Sequence, residues 1–291
     1  MIQSVLLFTQ KVTKYIKFYA KVSGIFAAFV GSAAYGTIAP ILLSLVGKRL
    51  LTQYTVARLF YFLVHKITHL TIEIEDPHGY ITDAAAPPTS SIILANHQNE
   101  IDVLLIGRLF PKYTTVTAKK ILKYIPILGW FMTLSGSVFL DRSNRERSIQ
   151  TLSAAVNTIQ HTRQNLFLFP EGTRSYTPTP ALLPLKKGAF HLAVEGQFPI
   201  IPVVVSNNAK IWRTATQDKV IPGGLIRVRV LEPIPTVGLT AADVNALVAR
   251  VETLMRAEVE KLGYSEVHGL DNTNKIEEHR DIDEATPLIE D

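Results

Sequence analysis

A chain of 291 residues in which nearly half are apolar has material for one large domain or two small ones and is not a disordered polymer over most of its length. It has no cysteine, which excludes disulfides, thiolate metal sites, iron–sulfur clusters and an acyl-cysteine intermediate. The formal net charge is +5, but residues 271–291 hold eight acidic side chains against Lys275 and Arg280, so a body of +11 precedes a tail of −6 and calls for a polyanionic partner such as an anionic membrane, a phosphorylated ligand or nucleic acid.

At the N-terminus, Lys11, Lys14, Lys17 and Lys21 fall within an arc of about 120° on a helix, the pattern of a helix lying on an anionic surface. Val22 to Gly47 then runs without a charge. As a helix this stretch is about 39 Å long, enough to cross a hydrocarbon core of roughly 30 Å. Gly24, Gly31, Gly36 and Pro40 leave two readings open: a spanning helix, or a kinked pair that dips into one leaflet and returns. A cleaved signal peptide fits less well, because the run is too long and starts too late. The segment around Leu59 to Val64 reads as another interfacial helix or as the first helix of the globular part. Positive charge on both sides of the apolar run gives no topology.

From Leu70 onward, strands and helices alternate. Strands are expected at Thr71–Ile74, Ser91–Ala95, Thr114–Thr117, Ser137–Leu140, Leu166–Phe169, Ile200–Val205 and Ile226–Leu231, and helices at Ile101–Phe110, Arg145–Arg163, Lys186–Glu195 and Ala241–Leu262. The fold class is α/β, a mixed and largely parallel sheet flanked by helices, preceded by N-terminal membrane helices. Three regions result: membrane-associated residues 1–69, an α/β domain at 70–263, and an acidic tail at 264–291 expected to be disordered.

Chemistry concentrates at strand ends. The apolar run ending at Ala95 delivers Asn96-His97-Gln98-Asn99-Glu100-Ile101-Asp102, which places an imidazole at a strand end and a carboxylate at the start of a helix, the layout of a base and its orienter. Spacing alone is weak, since His78 and Asp83 share it in what reads as a surface loop. A second strand ends at Phe169-Pro170 and continues Glu171-Gly172-Thr173-Arg174-Ser175. Gly172 lets backbone approach a ligand, Arg174 offers a planar fork for phosphate or carboxylate, and Glu171 is expected to hold Arg174 or accept from a ligand hydroxyl. Lys119 and Arg142 follow two further strands and would complete a cationic bowl. Each taken singly also fits an ordinary solvated charge.

The ordered set Asn96-His97-(four residues)-Asp102, Gly136 to Arg142, Phe169 to Arg174 and Ile200 to Val204 resembles the four motifs of the glycerolipid acyltransferases, and within them the 1-acylglycerol-3-phosphate acyltransferases of fungi. The resemblance covers about residues 40–265 and departs at no motif position. It implies transfer of an acyl chain from acyl-CoA to the sn-2 hydroxyl of 1-acyl-sn-glycerol 3-phosphate, with His97 as general base oriented by Asp102. It assigns Glu171, Gly172, Thr173, Arg174, Lys119 and Arg142 to the phosphate and glycerol moiety, and Pro202 to shaping the acyl or acyl-CoA site. No metal or cofactor is implied beyond acyl-CoA as co-substrate. The partners implied are the lipid substrate and an anionic membrane surface, without nucleic acid. The location implied is a membrane, the endoplasmic reticulum in a eukaryote, with the site on the cytosolic side. Absence of a Gly-x-Ser-x-Gly elbow and of cysteine favours direct transfer, and backbone N–H groups in the first turn after His97 are the expected oxyanion donors. Ile127, Leu128, Trp130 and Phe131 are expected either to dock on the bilayer or to form a buried helix. The readings set against this one are a different acceptor, such as glycerol 3-phosphate or another lysophospholipid, and a non-catalytic protein that binds anionic lipid.

Overall fold

Three short apolar runs, strands β2 (Ile92–Ala95), β5 (Asn165–Leu168) and β6 (Ile200–Val205), are buried along their whole length because they form the middle of a sheet covered on both faces. The structure is a computed structural model that describes residues 2–82, 90–141, 145–212, 221 and 223–268. Around the central strands lie β1 (Leu70–Glu75), β3 (Thr114–Lys119), β4 (Val138–Leu140) and β7 (Gly224–Val230), in the order β1-β7-β6-β2-β5-β3-β4. Neighbours are parallel except β6 with β7. A short β8 (Glu266–Val267) pairs antiparallel with the start of β7, so the chain is still attached to the sheet at Val267.

Odd and even positions along the central strands feed separate cores. Ile92, Leu94, Leu166, Leu168, Ile200 and Val204 pack under α5 (Arg145–Thr162), α6 (Gly188–Glu195) and α7 (Val244–Leu262). The last presents Val244, Leu247, Val251, Met255 and Val259, a stripe at helical spacing. Ile93, Ala95, Phe167, Ile201, Val203 and Val205 pack on the other face under α2 (Thr52–Thr68) and α3 (Asp102–Leu109), joined there by Ala28 of α1 (Ile2–Leu45). The seven strands and four helices expected from the pattern are all present within a few residues of their expected ends; β8 has too little sequence signal to be seen in advance.

In the N-terminal region the apolar run does not form the kinked pair; it is continuous helix, the form the spanning reading requires. α1 is one helix of 44 residues that continues through its glycines and Pro40. The chain turns back after it, at Gly47 with φ +68°, and the returning element is α2. Gly24 lies against Ile67, and Phe29 meets the Phe60 ring edge-on at 5.9 Å, so α1 and α2 run antiparallel. The small residues in α1 serve packing, not a kink: Ala28, Ser32, Ala33, Gly36 and Ala39 are buried in one stripe, and a Cβ on Gly36 would lie 2.4 Å from the Phe131 ring of α4 (Leu128–Leu134). The opposite side exposes Phe26, Ile38, Ile41, Leu42 and Leu45. Among the described residues, Leu6–Leu45 is the one stretch long and apolar enough to cross a membrane. α4 resolves its own pair of readings by dividing: Trp130 is exposed, while Phe131 packs against Gly36.

α3 sits on α2 through Gly107, where an added Cβ would lie 2.8 Å from the Ala57 carbonyl oxygen and 2.9 Å from Tyr61 Cβ. Neither atom can move without shifting α2. Gly107→Ala gains about 1 kcal/mol in helix propensity but overpacks a rigid contact at about 1–3 kcal/mol. The expected outcome is a net loss of stability, measured as a lower midpoint of chemical unfolding; an unchanged or higher midpoint contradicts the close-packing assignment.

Candidate active site

The register of the three central strands brings the chemistry together. Leu94 lies opposite Leu168 on one side and Pro202 on the other. Three residues further on, His97, Glu171 and Val205 therefore emerge at the same level of the C-terminal edge, where parallel sheets gather ligands.

The loop after β2 is tied to β6 by amide side chains. Asn96 Oδ1 accepts the Val205 N–H at 2.8 Å and its Nδ2 donates to the Val205 carbonyl at 3.0 Å, so the side chain stands in for a peptide unit. Gln98 Nε2 donates to the Val205 and Ser206 carbonyls at 3.2 and 3.0 Å, and its Oε1 accepts the Asn208 N–H at 2.9 Å. Asn99 bonds the Asn208 side chain, and its Oδ1 accepts the Ile101 N–H at 3.0 Å on entry to α3. Asn96, Gln98 and Asn99 are all buried, where unpaired amides would be costly.

His97 is fixed from three directions. Its Nδ1 lies 2.6 Å from Asp102 Oδ2, its ring stacks on Phe169 with centroids 4.0 Å apart and planes at 10°, and its backbone N–H donates to Glu171 Oε1 at 2.5 Å. Phe169 in turn meets Phe167 edge-on at 5.4 Å, which roots the stack in the core. Asp102, 1% exposed, also accepts the N–H groups of Gln98 and Asn99 through the same Oδ2. With Nδ1–H donated to a carboxylate, the proton-accepting nitrogen of the neutral ring is Nε2. Two of the N–H groups in the stretch expected to receive an oxyanion, those of Gln98 and Asn99, are thus taken by Asp102.

Glu171 departs from its expected place. It holds neither Arg174 nor an open position: Oε1 takes the His97 N–H and Oε2 takes the Leu183 N–H at 3.0 Å, with the side chain buried. Burial pushes its carboxyl up to about 7 against the lowering effect of those two bonds, and the neighbouring Asp102 adds to the rise. Arg174 pairs instead with Glu100: Nη1 lies 2.7 Å from Glu100 Oε1 and 3.1 Å from the Tyr176 hydroxyl, which donates to the same oxygen at 2.7 Å. Burial works against charge on Glu100, yet the hydrogen bond from Tyr176, together with Arg174, holds its carboxyl below the ordinary range. The backbones of the two loops are laced as well, Ser175 N–H to the His97 carbonyl at 2.9 Å and Tyr176 N–H to the Gln98 carbonyl at 3.0 Å.

Gly172 has φ +72° in the turn between Glu171 and Arg174, and Thr173 is exposed. Lys119 ends β3 on the same sheet edge, two strands from β2, and is exposed. Arg142 lies outside the described residues, as does Asp83 of the His78 pair; His78 itself is exposed and faces Glu232 at 3.3 Å. Pro202 lies buried inside β6, and its even position places it with Ile200 and Val204, on the face opposite Val203 and Val205. It shapes the sheet beneath α6 and α7, away from the Phe169 side where His97 stacks. Among the described residues no group of three His, Asp or Glu side chains suits a metal ion.

Sequence reasoning overlooked Phe169, Glu100, Tyr176 and the three amides. Phe169 was detectable by its place at the strand end level with the residues before His97. The amides were detectable as a cluster of polar residues directly after a fully apolar strand, where each must find a partner. Glu100 and Tyr176 meet only through the folding of two distant loops.

A profile of the acyltransferase family matches residues 80–206. The chain is 42% identical over 238 residues to 1-acyl-sn-glycerol-3-phosphate acyltransferase of Saccharomyces cerevisiae, an alignment covering 82% of this chain and 76% of the yeast protein. It is 32% identical over 201 residues to the human 1-acyl-sn-glycerol-3-phosphate acyltransferase alpha, covering 69% and 68% of the two chains. The crystal structure of the 1-acyl-sn-glycerophosphate acyltransferase PlsC from Thermotoga maritima matches with a TM-score of 0.63 over 87% of this chain and 96% of that one; at 21% identity this establishes a shared fold.

Glu171 makes stability depend on pH. Its folded value of about 7 lies above the ordinary 4.5, so its contribution is present below 4.5 and lost as pH rises through 7. Glu171→Gln should lower the melting temperature at pH 5, because an amide cannot accept both N–H groups, and should flatten the decline from pH 5 to 8. Melting profiles of equal slope in the two proteins would remove Glu171 as the titrating group.

Proposed function

The chain belongs to the acyltransferase family, and from that premise we propose that it transfers an acyl chain from acyl-CoA to the sn-2 hydroxyl of 1-acyl-sn-glycerol 3-phosphate, giving phosphatidic acid. The observation that carries this reading is the buried Asp102 bonded to His97 Nδ1 at 2.6 Å, which leaves Nε2 as the base.

In this mechanism Nε2 takes the proton of the sn-2 hydroxyl as the oxygen attacks the thioester carbonyl carbon. The C–O bond forms, the tetrahedral adduct collapses with breakage of the C–S bond, and the proton on Nε2 passes to the departing thiolate. A thiol with a pKa of about 8.5, by analogy with cysteine, is an adequate leaving group without a stronger acid. Asp102 holds the tautomer and stabilises the imidazolium between the two proton transfers, and the Phe169 stack fixes the ring plane. Asp102 is a positioning residue, as is Glu171, which acts through the His97 backbone.

Arg174 is the proposed phosphate ligand, with Lys119 contributing charge from the same edge, Gly172 and Thr173 lining the glycerol, and Arg142 assigned to phosphate or coenzyme. The Arg174–Glu100 pair is partly exposed, 36% and 41%, and such pairs are weak enough to open for a dianion. Both of the Arg174 contacts run through Nη1, so its remaining donors suit a phosphate in the fork geometry. The exposed apolar side of α1, with Trp130, supports seating at a bilayer, into which the lysophospholipid and the long acyl chain of the donor both partition. Soluble acyl-CoA then calls for a cytosolic-facing site, on the endoplasmic reticulum of a eukaryotic cell.

An acceptor screen with the purified chain and one labelled acyl-CoA tests the substrate assignment, and turnover on glycerol 3-phosphate or other lysophospholipids in preference to 1-acylglycerol 3-phosphate refutes it. His97→Ala should reduce turnover by at least about a thousandfold, as removal of a base and nucleophile-activating group does elsewhere, while melting stays within a few degrees. His78→Ala, the control with the same spacing, should retain near-normal rates. Arg174→Ala should raise KM for the phosphorylated acceptor with a smaller change in kcat; an unchanged KM would remove Arg174 from the phosphate site.

A further inference from the structure

The first half of α1 presents a basic groove whose partner the proposed reaction does not supply. Lys14, Lys17 and Lys21 line it together with Leu6, Phe18, Ile221 and the polar side chains of Thr9, Gln10 and Thr13, around a space of about 420 Å³. Lys11, Lys14 and Lys17 are exposed, and Lys21 donates to the Ile221 carbonyl at 2.8 Å. Among the described residues none of these four lysines meets a carboxylate.

The chain supplies acids close by. His268, the last described residue, donates its N–H to the Gly223 carbonyl at 2.9 Å, two positions from the Ile221 that Lys21 holds. The described part of the chain therefore ends beside the groove, with residues 269–291 still to follow. These residues carry Glu277, Glu278, Asp281, Asp283 and Glu284 within one short stretch that also holds His279 and Arg280, with Ile276 before the acids and Ile282 among them, a net negative charge opposite in sign to the lysines. Reach is not limiting: the lysine stripe is about 15 Å long at 1.5 Å per residue, and eight residues already extend roughly 26 Å. A tether of this length holds the acids at millimolar effective concentration. Two described arginines near the exit are already paired, Arg227 with Glu73 and Glu266, and Arg229 with Glu75 and Glu258.

We propose that the acidic segment Asp271–Asp291 docks on the lysine groove of α1 and competes there with anionic lipid. On a neutral bilayer the segment holds the groove; on an anionic one the lipid headgroups displace it and α1 settles on the surface. The device is independent of which acceptor the enzyme uses.

The test is zero-length carbodiimide cross-linking of the full chain in lipid nanodiscs, with peptides identified by mass spectrometry. In neutral phosphatidylcholine discs the tail carboxylates should link mainly to Lys11, Lys14, Lys17 and Lys21. These links should fall about fivefold with about 30 mol% phosphatidylserine or at about 0.5 M salt, where screening is strong. Replacing the five clustered acids by Gln and Asn should raise the acetylation rate of Lys14 and Lys17 several-fold in neutral discs and leave it unchanged in anionic ones. Links spread equally over Lys119, Lys120 and Lys210, links indifferent to phosphatidylserine, or acetylation rates that ignore the tail substitutions would each overturn the proposal.

Discussion

The placement of β2 between β5 and β6 is the constraint from which the rest of the structure follows. Because all three run parallel and in fixed register, the residues after each are delivered to one level of one edge. A slip of one residue in either pairing would turn His97 away from Phe169 and would separate the Asn96 amide from Val205. Burial on both faces prevents that slip, since it would drive Leu94 and Ile93 into each other's cores. The precision of the site is thus set by apolar residues that take no part in any chemistry.

Two buried carboxylates stand at the centre of this edge, and neither is neutralised by a cation. Asp102 takes the imidazole and two N–H groups on Oδ2 while its Oδ1 is buried without a partner, and Glu171 takes two N–H groups from separate loops. Burial raises the Glu171 carboxyl to about 7, and the nearby Asp102 adds to the rise. Arg174 is kept apart from both by Glu100 and Tyr176, so the fixed cation of the site remains available at its rim.

Much of this was legible in sequence because the signals were local. Continuous apolar runs identified the central strands, helical spacing identified α5 and α7, and the Phe-Pro-Glu-Gly-Thr-Arg turn marked a second strand end. What escaped notice depends on where distant loops meet. Glu171 reads as a partner for Arg174, three residues away, yet a strand end directs it inward to the His97 backbone. Pro202 reads as shaping the acyl or acyl-CoA site, and the alternation along β6 puts it on the face opposite the His97–Phe169 stack. In α1, glycines and a proline suggested a bend, because sequence alone does not reveal that small residues were selected for close contact with α2 and α4.

The Asn96 amide has a consequence for motion. Sheets open most readily at strand ends, where the ladder stops and the last backbone groups exchange with solvent. Here the final rungs between β2 and β6 are supplied by the side chain of the residue next to His97, with Gln98 adding further links. The end of the sheet that would ordinarily fray first is therefore stapled, and any opening that does occur must release the imidazole together with the strand. Local breathing and loss of the base are, in this molecule, one event.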